Sequence, residues 1–256
     1  MRTRVKQSGG AILALVCCAT AAIADGASTP AADLALTSTD WSGLYVGVQG
    51  GGAWSHTGWT FPVDSFFTLF DGNKSFNAVS SGGVMGGHVT LNHQIGSLVI
   101  GAELLVSAAD VERERTGAIT QEFPTDRFTT RLTNYGTLTG RLGYAHDDWL
   151  IYLSGGFAAG HISLDAVSGP PVAGVVGQVD GRINGYTLGG GGEYMIARNV
   201  AIGVQYDYIK LGGERFSTAT TGTPDDTPFI VDVEDVDLMS VTARLSIKLD
   251  LLGAGP

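Results

Sequence analysis

From Ile183 to Leu211 the sequence INGYTLGGGGEYMIARNVAIGVQYDYIKL alternates in character every second residue. Tyr186, Leu188 and Tyr194 share one parity, and Thr187, Gly189, Gly191 and Glu193 the other, which is the periodicity of a strand. After the polar break Ala197-Arg198-Asn199 the alternation resumes, with Val200, Ile202, Val204, Tyr206 and Tyr208 opposing Gly203, Gln205 and Asp207. The pair reads as a hairpin with one continuous apolar face and one polar face. In water the apolar face would meet a core, whereas in a transmembrane barrel it meets lipid and the polar face lines the lumen.

The start of the chain bears on the compartment. Arg2, Arg4 and Lys6 precede an apolar run from Ala11 to Ile23 that ends in the small-residue pattern Ala22-Ile23-Ala24. This is the pattern of a secretory signal peptide over residues 1–24, cleaved between Ala24 and Asp25. Cleavage removes both cysteines, so disulfides and thiolate metal sites are not expected. It also removes those three basic residues, taking the formal charge from −10 to −13 and disfavouring nucleic acid as a partner. Beyond residue 24 no apolar run reaches the roughly 20 residues of a spanning helix, so a membrane would have to be crossed by strands.

Residues 25–40 are rich in Ala, Ser and Thr and read as a flexible periplasmic leader. Eight alternating segments follow, at about Trp41–Trp54, Val84–His93, Leu98–Ala108, Phe128–Tyr144, Trp149–Gly160, the two strands of the hairpin above, and Asp235–Leu249. Connections after the first, third, fifth and seventh are long (55–77, 109–127, 161–182, 212–234), and those between are short. Long loops on one side and tight turns on the other, with an even strand number, predict an all-β, eight-stranded antiparallel up-and-down transmembrane β-barrel over residues 41–249, followed by a tail at 250–256. A soluble eight-stranded barrel is the competing architecture.

Parity then assigns faces. Tyr144, Trp149 and Tyr194 fall on the lipid side at turn-side strand ends, and Phe157, Tyr186 and Tyr208 at loop-side ends, forming two aromatic girdles. The lumen receives Glu103, Glu193 and Asp207 together with Arg141, Arg244, Lys248 and His88, so that three acids meet three bases. An eight-stranded barrel is narrow enough for side chains to fill it, which favours a paired polar core over a conducting pore. Gly101, Gly143, Gly156, Gly189 and Gly191 face inward and leave room for those chains.

Several stretches resemble one family, the small alphaproteobacterial outer-membrane β-barrel proteins of the porin-like, immunogenic surface-protein type. WSGLYVGVQGGGAW looks like that family's first strand, GGVMGGHVTLNHQ like its second and SLVIGAEL like its third. NYGTLTGRLGYAHDDWLIYLSGGFAAG is similar to its fourth and fifth, and GYTLGGGGEYMIARNVAIGVQYDYIKLG to its sixth and seventh. The resemblance implies an outer-membrane location, with outer-membrane lipids and lipopolysaccharide as surroundings and the barrel-assembly machinery as a partner during insertion. The sequence departs from the family at its end, where Leu245, Ile247 and Leu249 stand in place of a terminal aromatic signal and a tail follows.

Catalytic and cofactor patterns are few. The run Gly189–Gly192 lies inside a strand and is no dinucleotide fingerprint, and Gly72-Asn73-Lys74-Ser75 lacks the upstream glycine of a phosphate loop. Asp225, Asp226, Asp232, Glu234 and Asp235 lack calcium-loop spacing. His161-Ile162-Ser163 places a base and a hydroxyl on one strand face with Asp165 following, a pattern similar to outer-membrane lipid deacylases. No cofactor, metal site or catalytic residue is therefore assigned. The expected role is structural, with a narrow channel, haem capture through His56 or His161, or lipid A hydrolysis as alternatives; the oligomeric state is left open.

Overall fold

The computed structural model describes residues 39–62, 74–116, 127–167, 176–219 and 228–249. The signal peptide with its Ala24–Asp25 cleavage site, all of the leader but Thr39 and Asp40, and the tail lie outside the described residues. The strands are β1 (Gly43–Phe61), β2 (Lys74–Ile95), β3 (Leu98–Thr116), β4 (Arg127–His146), β5 (Trp149–Val167), β6 (Val176–Ala197), β7 (Val200–Leu211), β8 (Glu214–Ala219) and β9 (Pro228–Leu249). Each of β1 to β6 pairs antiparallel with the next, β7 and then β8 pair along β9, and β9 returns to β1 from Leu44↔Leu249 to Thr60↔Asp232. The result is a closed eight-stranded barrel whose seventh stave is split into β7 and β8. Closure leaves no open edge along the turn-side half of the barrel, while β8 on the loop side pairs, among the described residues, with β9 alone.

Three hairpins have two-residue connections on one rim. Gly96 (φ 62°) and Asp147 (φ 50°) take the left-handed backbone that tight hairpin turns require. Ala145 N–H donates to Ser97 O at 2.8 Å and Met195 N–H to Asp148 O at 2.9 Å, linking neighbouring turns across this rim.

The faces match the parity read from sequence. Leu153 (72% exposed) and Phe157 (77%) point outward, while Glu103, Arg141, Glu193 and Arg244 are buried in the lumen. The strands, however, run well past their expected ends. The long connections give up most of their length to paired strand: β1 and β2 stay paired to Phe61↔Lys74, and β4 and β5 to Arg127↔Val167.

The reason is a change of phase. On β5 the outward apolar set Trp149, Ile151, Leu153 and Phe157 gives way to an inward set, Ala158, Ile162 and Ala166, with His161, Ser163 and Asp165 outside. A single-phase alternation therefore stops near Gly160 although the strand does not. The outward face turns polar at one level around the barrel, marked by His56, Asp110, Asn134, His161, Asn184, Lys210 and Asp237. Bulges sit close to this level: the ladder shifts at Thr57/Trp59 against β9, at Ala108/Val111, and at Leu132/Asn134. The last keeps both Leu132 and Tyr135 facing inward although they are three residues apart.

Candidate functional site: the barrel lumen

The lumen is built in layers. At the turn-side mouth Trp41, just ahead of β1, is fully buried with Tyr45, Val99, Ala145, Leu150, Tyr152, Met195 and Ala201. Trp41 N–H donates to Gln94 Oε1 (2.7 Å), the Tyr45 hydroxyl donates to Trp41 O (3.1 Å), and the two rings stack at 6.4 Å. Lys248 lies at this mouth, where its Nζ donates to the Asp40 carbonyl at 2.7 Å.

Above this floor lies the charged layer. Arg141 bridges Glu193 (Nη2–Oε1, 2.9 Å) and Glu103 (Nη1–Oε2, 3.5 Å), and Arg244 Nη2 donates to the same Glu103 Oε2 at 2.6 Å. Thr90 Oγ1 adds a donor to Glu103 at 2.7 Å. Tyr152 ties the layer together: the Arg141 guanidinium stands 3.7 Å over its ring, and its hydroxyl accepts from Arg244 at 3.0 Å and donates to Gln205 Oε1 at 2.7 Å. Arg244 also donates directly to Gln205 Oε1. Gln205 Nε2 passes the contact on to Asp207 Oδ1 at 2.7 Å. His88 Nε2 lies 2.9 Å from Ser246 Oγ, with Gly47 beside its ring, where a Cβ would come within 2.5 Å of the imidazole. Two glutamates shared between two arginines satisfy the pairing that buried charges require.

Two of the seven polar residues expected here depart from the pattern of three acids with three bases. Lys248 serves the mouth and Asp207 meets an amide, because the barrel stagger puts Lys248 below the charged layer and Asp207 above it. Tyr152 and Gln205 share the inward parity but bear no charge, and so were not counted among the lumen residues from sequence. The loop-side lumen above them is apolar: Leu105, Leu132, Ile162, Ile183, Ile209, Leu211, Val231, Val236 and Leu238 form one buried cluster on which Phe216 packs.

On the outer wall the girdle residues Tyr144, Trp149, Phe157 and Tyr186 are exposed, and Tyr194 packs on Trp149 with ring centroids 4.8 Å apart. The loop-side row runs Phe157↔Tyr186, then Leu188↔Tyr208↔Met239↔Trp54 across paired strands. Trp54 extends that row and was obscured in sequence by the glycines before it. Of the enzyme-like residues, His161, Ser163 and Asp165 all face outward, and His161 Nε2 pairs at 2.6 Å with Asp180 Oδ1 rather than with Asp165. His56 also faces outward, in a groove it shares with Arg215, Asp232, Glu234, Asp235 and Asp237.

A family model for the outer membrane protein beta-barrel domain matches residues 11–234. The chain belongs to this family. The 31 kDa outer-membrane immunogenic proteins of Brucella melitensis biotype 1 and Brucella suis biovar 1 are each 30% identical to it over 181 residues, covering 67% of this chain and 72% of theirs. Among solved structures, the outer membrane protease OmpT from Escherichia coli aligns over 81% of this chain and 97% of its own, with 12% identity and a TM-score of 0.50. That likeness is one of fold. This member of the outer membrane β-barrel family is thus an outer-membrane protein, related to alphaproteobacterial immunogenic surface proteins, as the strand motifs implied.

Proposed function

We propose that this protein is a non-conducting, non-enzymatic structural barrel of the outer membrane. It spans the bilayer with a packed lumen, lies against lipopolysaccharide with its aromatic girdles, and raises a rigid polar-walled extension on the loop side. The observation that carries this reading is the closure of the lumen at three heights, by Trp41 with Tyr45, by the Glu103–Arg141–Glu193–Arg244 network, and by the apolar cluster from Leu105 to Leu238. Side chains packed across a narrow barrel at these three heights leave neither a water path nor a converging set of reactive groups.

The test is conductance of the refolded protein in planar lipid bilayers. Flat current traces are expected across a wide voltage range, and discrete unitary steps that persist after repurification would overturn the proposal. Gel mobility of the outer-membrane fraction with and without boiling should show the shift of a stable inserted barrel, so that a silent bilayer is not mistaken for unfolded protein. Incubation with lipopolysaccharide, beside a Ser163→Ala variant, tests the enzymatic alternative; acyl release lost in the variant would contradict the structural reading.

A further inference from the structure

The charges in the lumen do not balance. Among its described buried side chains, Glu103, Glu193 and Asp207 share the lumen with the cations Arg141 and Arg244 and with the imidazole of His88, which pairs with Ser246; both arginines are engaged with the two glutamates. Asp207 is 5% exposed and its Oδ1 accepts one hydrogen bond from Gln205, while its Oδ2 has no hydrogen-bond partner. A carboxylate held this way away from water needs a compensating positive charge, a cation or a proton.

The surroundings of Asp207 supply the remaining parts of a site. The Tyr135 hydroxyl lies beside the hydroxyls of Ser107 and Ser240. Thr242 Oγ1 and both polar ends of the Gln49 side chain, Oε1 and Nε2, are buried without hydrogen-bond partners, and Tyr135, Ser107 and Ser240 are buried as well, all on side chains no more than 5% exposed. Register places Asp207 opposite Ser240, and Thr242 opposite Gln205, while Ser107 lies opposite Tyr135. The inward glycines Gly86 and Gly189 lie beside Ser107 Oγ and Asp207 Oδ1, where a Cβ would come within 2.4 and 2.5 Å of those oxygens. The layer between the charged network and the apolar cap is therefore lined by hydroxyl and amide groups around one carboxylate oxygen that has no hydrogen-bond partner.

We propose that this layer is a binding site for one small monovalent cation, sodium or potassium, anchored by Asp207. Hard oxygen donors suit a hard cation. A single carboxylate among neutral oxygens suits one positive charge, since a divalent ion would leave the layer overcharged. The Trp41 floor and the apolar cap occlude the ion, so it acts as a structural part of the folded barrel. This inference goes beyond the structural role proposed above and is compatible with a silent pore.

The test is thermal unfolding of the refolded full-length mature barrel at fixed pH and ionic strength, replacing N-methylglucamine chloride with sodium chloride or potassium chloride. A ligand bound only by the folded state raises the unfolding temperature with its concentration, so a rise is expected with at least one alkali cation. Asp207→Asn should abolish that dependence, and Ser240→Ala, which keeps the charge, should move it to higher salt. Identical wild-type curves in all three salts would overturn the proposal, as would an alkali-cation effect unchanged in Asp207→Asn. An infrared carbonyl band of a protonated carboxylic acid, lost in Asp207→Asn, would likewise overturn it by showing that a proton supplies the charge. Should Asp207→Asn fail to fold, the wild-type and Ser240→Ala curves still decide the outcome.

Discussion

The turn-side and loop-side halves of this barrel use the same strands and the same inward parity with opposite chemistry. Below the level of His161 and Asp237 the outer wall is apolar and the lumen is charged; above it the wall carries His161, Asp165, Asp180 and Asp232 while the lumen packs Leu132, Ile162, Ile183 and Leu238. The difference follows from what surrounds each half. Lipid accepts apolar side chains, so the turn-side half must draw its internal cohesion from ion pairs and hydrogen bonds, whereas water expels apolar side chains inward and gives the loop-side half a hydrophobic core. A strand can serve both environments because alternation continues while its phase changes.

The largest effect that would break this contrast is expected from the charged layer. Arg141→Met leaves Glu193 without its ion-pair partner in the lumen, and removal of one partner from a buried pair costs about 3–5 kcal/mol. Urea unfolding of the vesicle-refolded variant measures it. In the loop-side core, Ile162→Ala should cost roughly 2–5 kcal/mol by cavity formation, read in the same assay, with the charged layer and hence the boiling-dependent gel shift retained.

Substitution on the outer wall of a single strand sharpens the contrast further. Leu153→Lys places a charge against lipid and should cost roughly 2–4 kcal/mol, whereas Asp165→Lys on the same face of β5 should stay within about 0.5 kcal/mol. Equal effects at the two positions would show that both halves meet the same medium. Smaller still is the exposed Arg215–Asp232 pair, bidentate at 2.5 and 2.7 Å, for which Arg215→Met should cost about 0–1 kcal/mol and lose that effect in high salt.

The smallest expected effect is pH-dependent. A hydrogen bond from Lys210 (2.9 Å), helped by the Gly213 N–H (3.2 Å), holds the Asp235 carboxyl below its usual range on the loop-side wall. A depressed folded-state pKa contributes stability that is present above the unfolded value of about 4 and is lost as pH falls through the folded value. Acidification through and below pH ~4 should therefore destabilise the wild type slightly more than Asp235→Asn, with solvent screening keeping the gap small. Unfolding midpoints of the two proteins between neutral and acid pH check the sign.

Much of the lipid-spanning half was legible in the sequence. Leu138, Leu142 and Tyr144 against Thr137, Thr139 and Arg141 leave one choice of face once lipid is outside. The loop-side half was less legible because its apolar residues change parity at Ala158 on β5, and bulges such as that at Thr133 shift the count on β4. A reading that follows one phase ends the strand there. In the site, charge revealed Glu103, Arg141, Glu193 and Arg244, but Tyr152 and Gln205 became visible only through their partners across the lumen.

The sequence by itself determined the period-two strands, the alternation of tight turns with long connections, and which residues of each spanning strand share a face, since these depend on near neighbours along the chain. Only the tertiary structure decided which lumen residues meet. Strands tilt and stagger on closure, so height along the barrel is fixed by the whole ring of registers rather than by any one strand. That stagger brings Glu103 between Arg141 and Arg244, moves Lys248 to the mouth beside Asp40, and lifts Asp207 above the ion pairs, where it meets Gln205 and lies opposite Ser240.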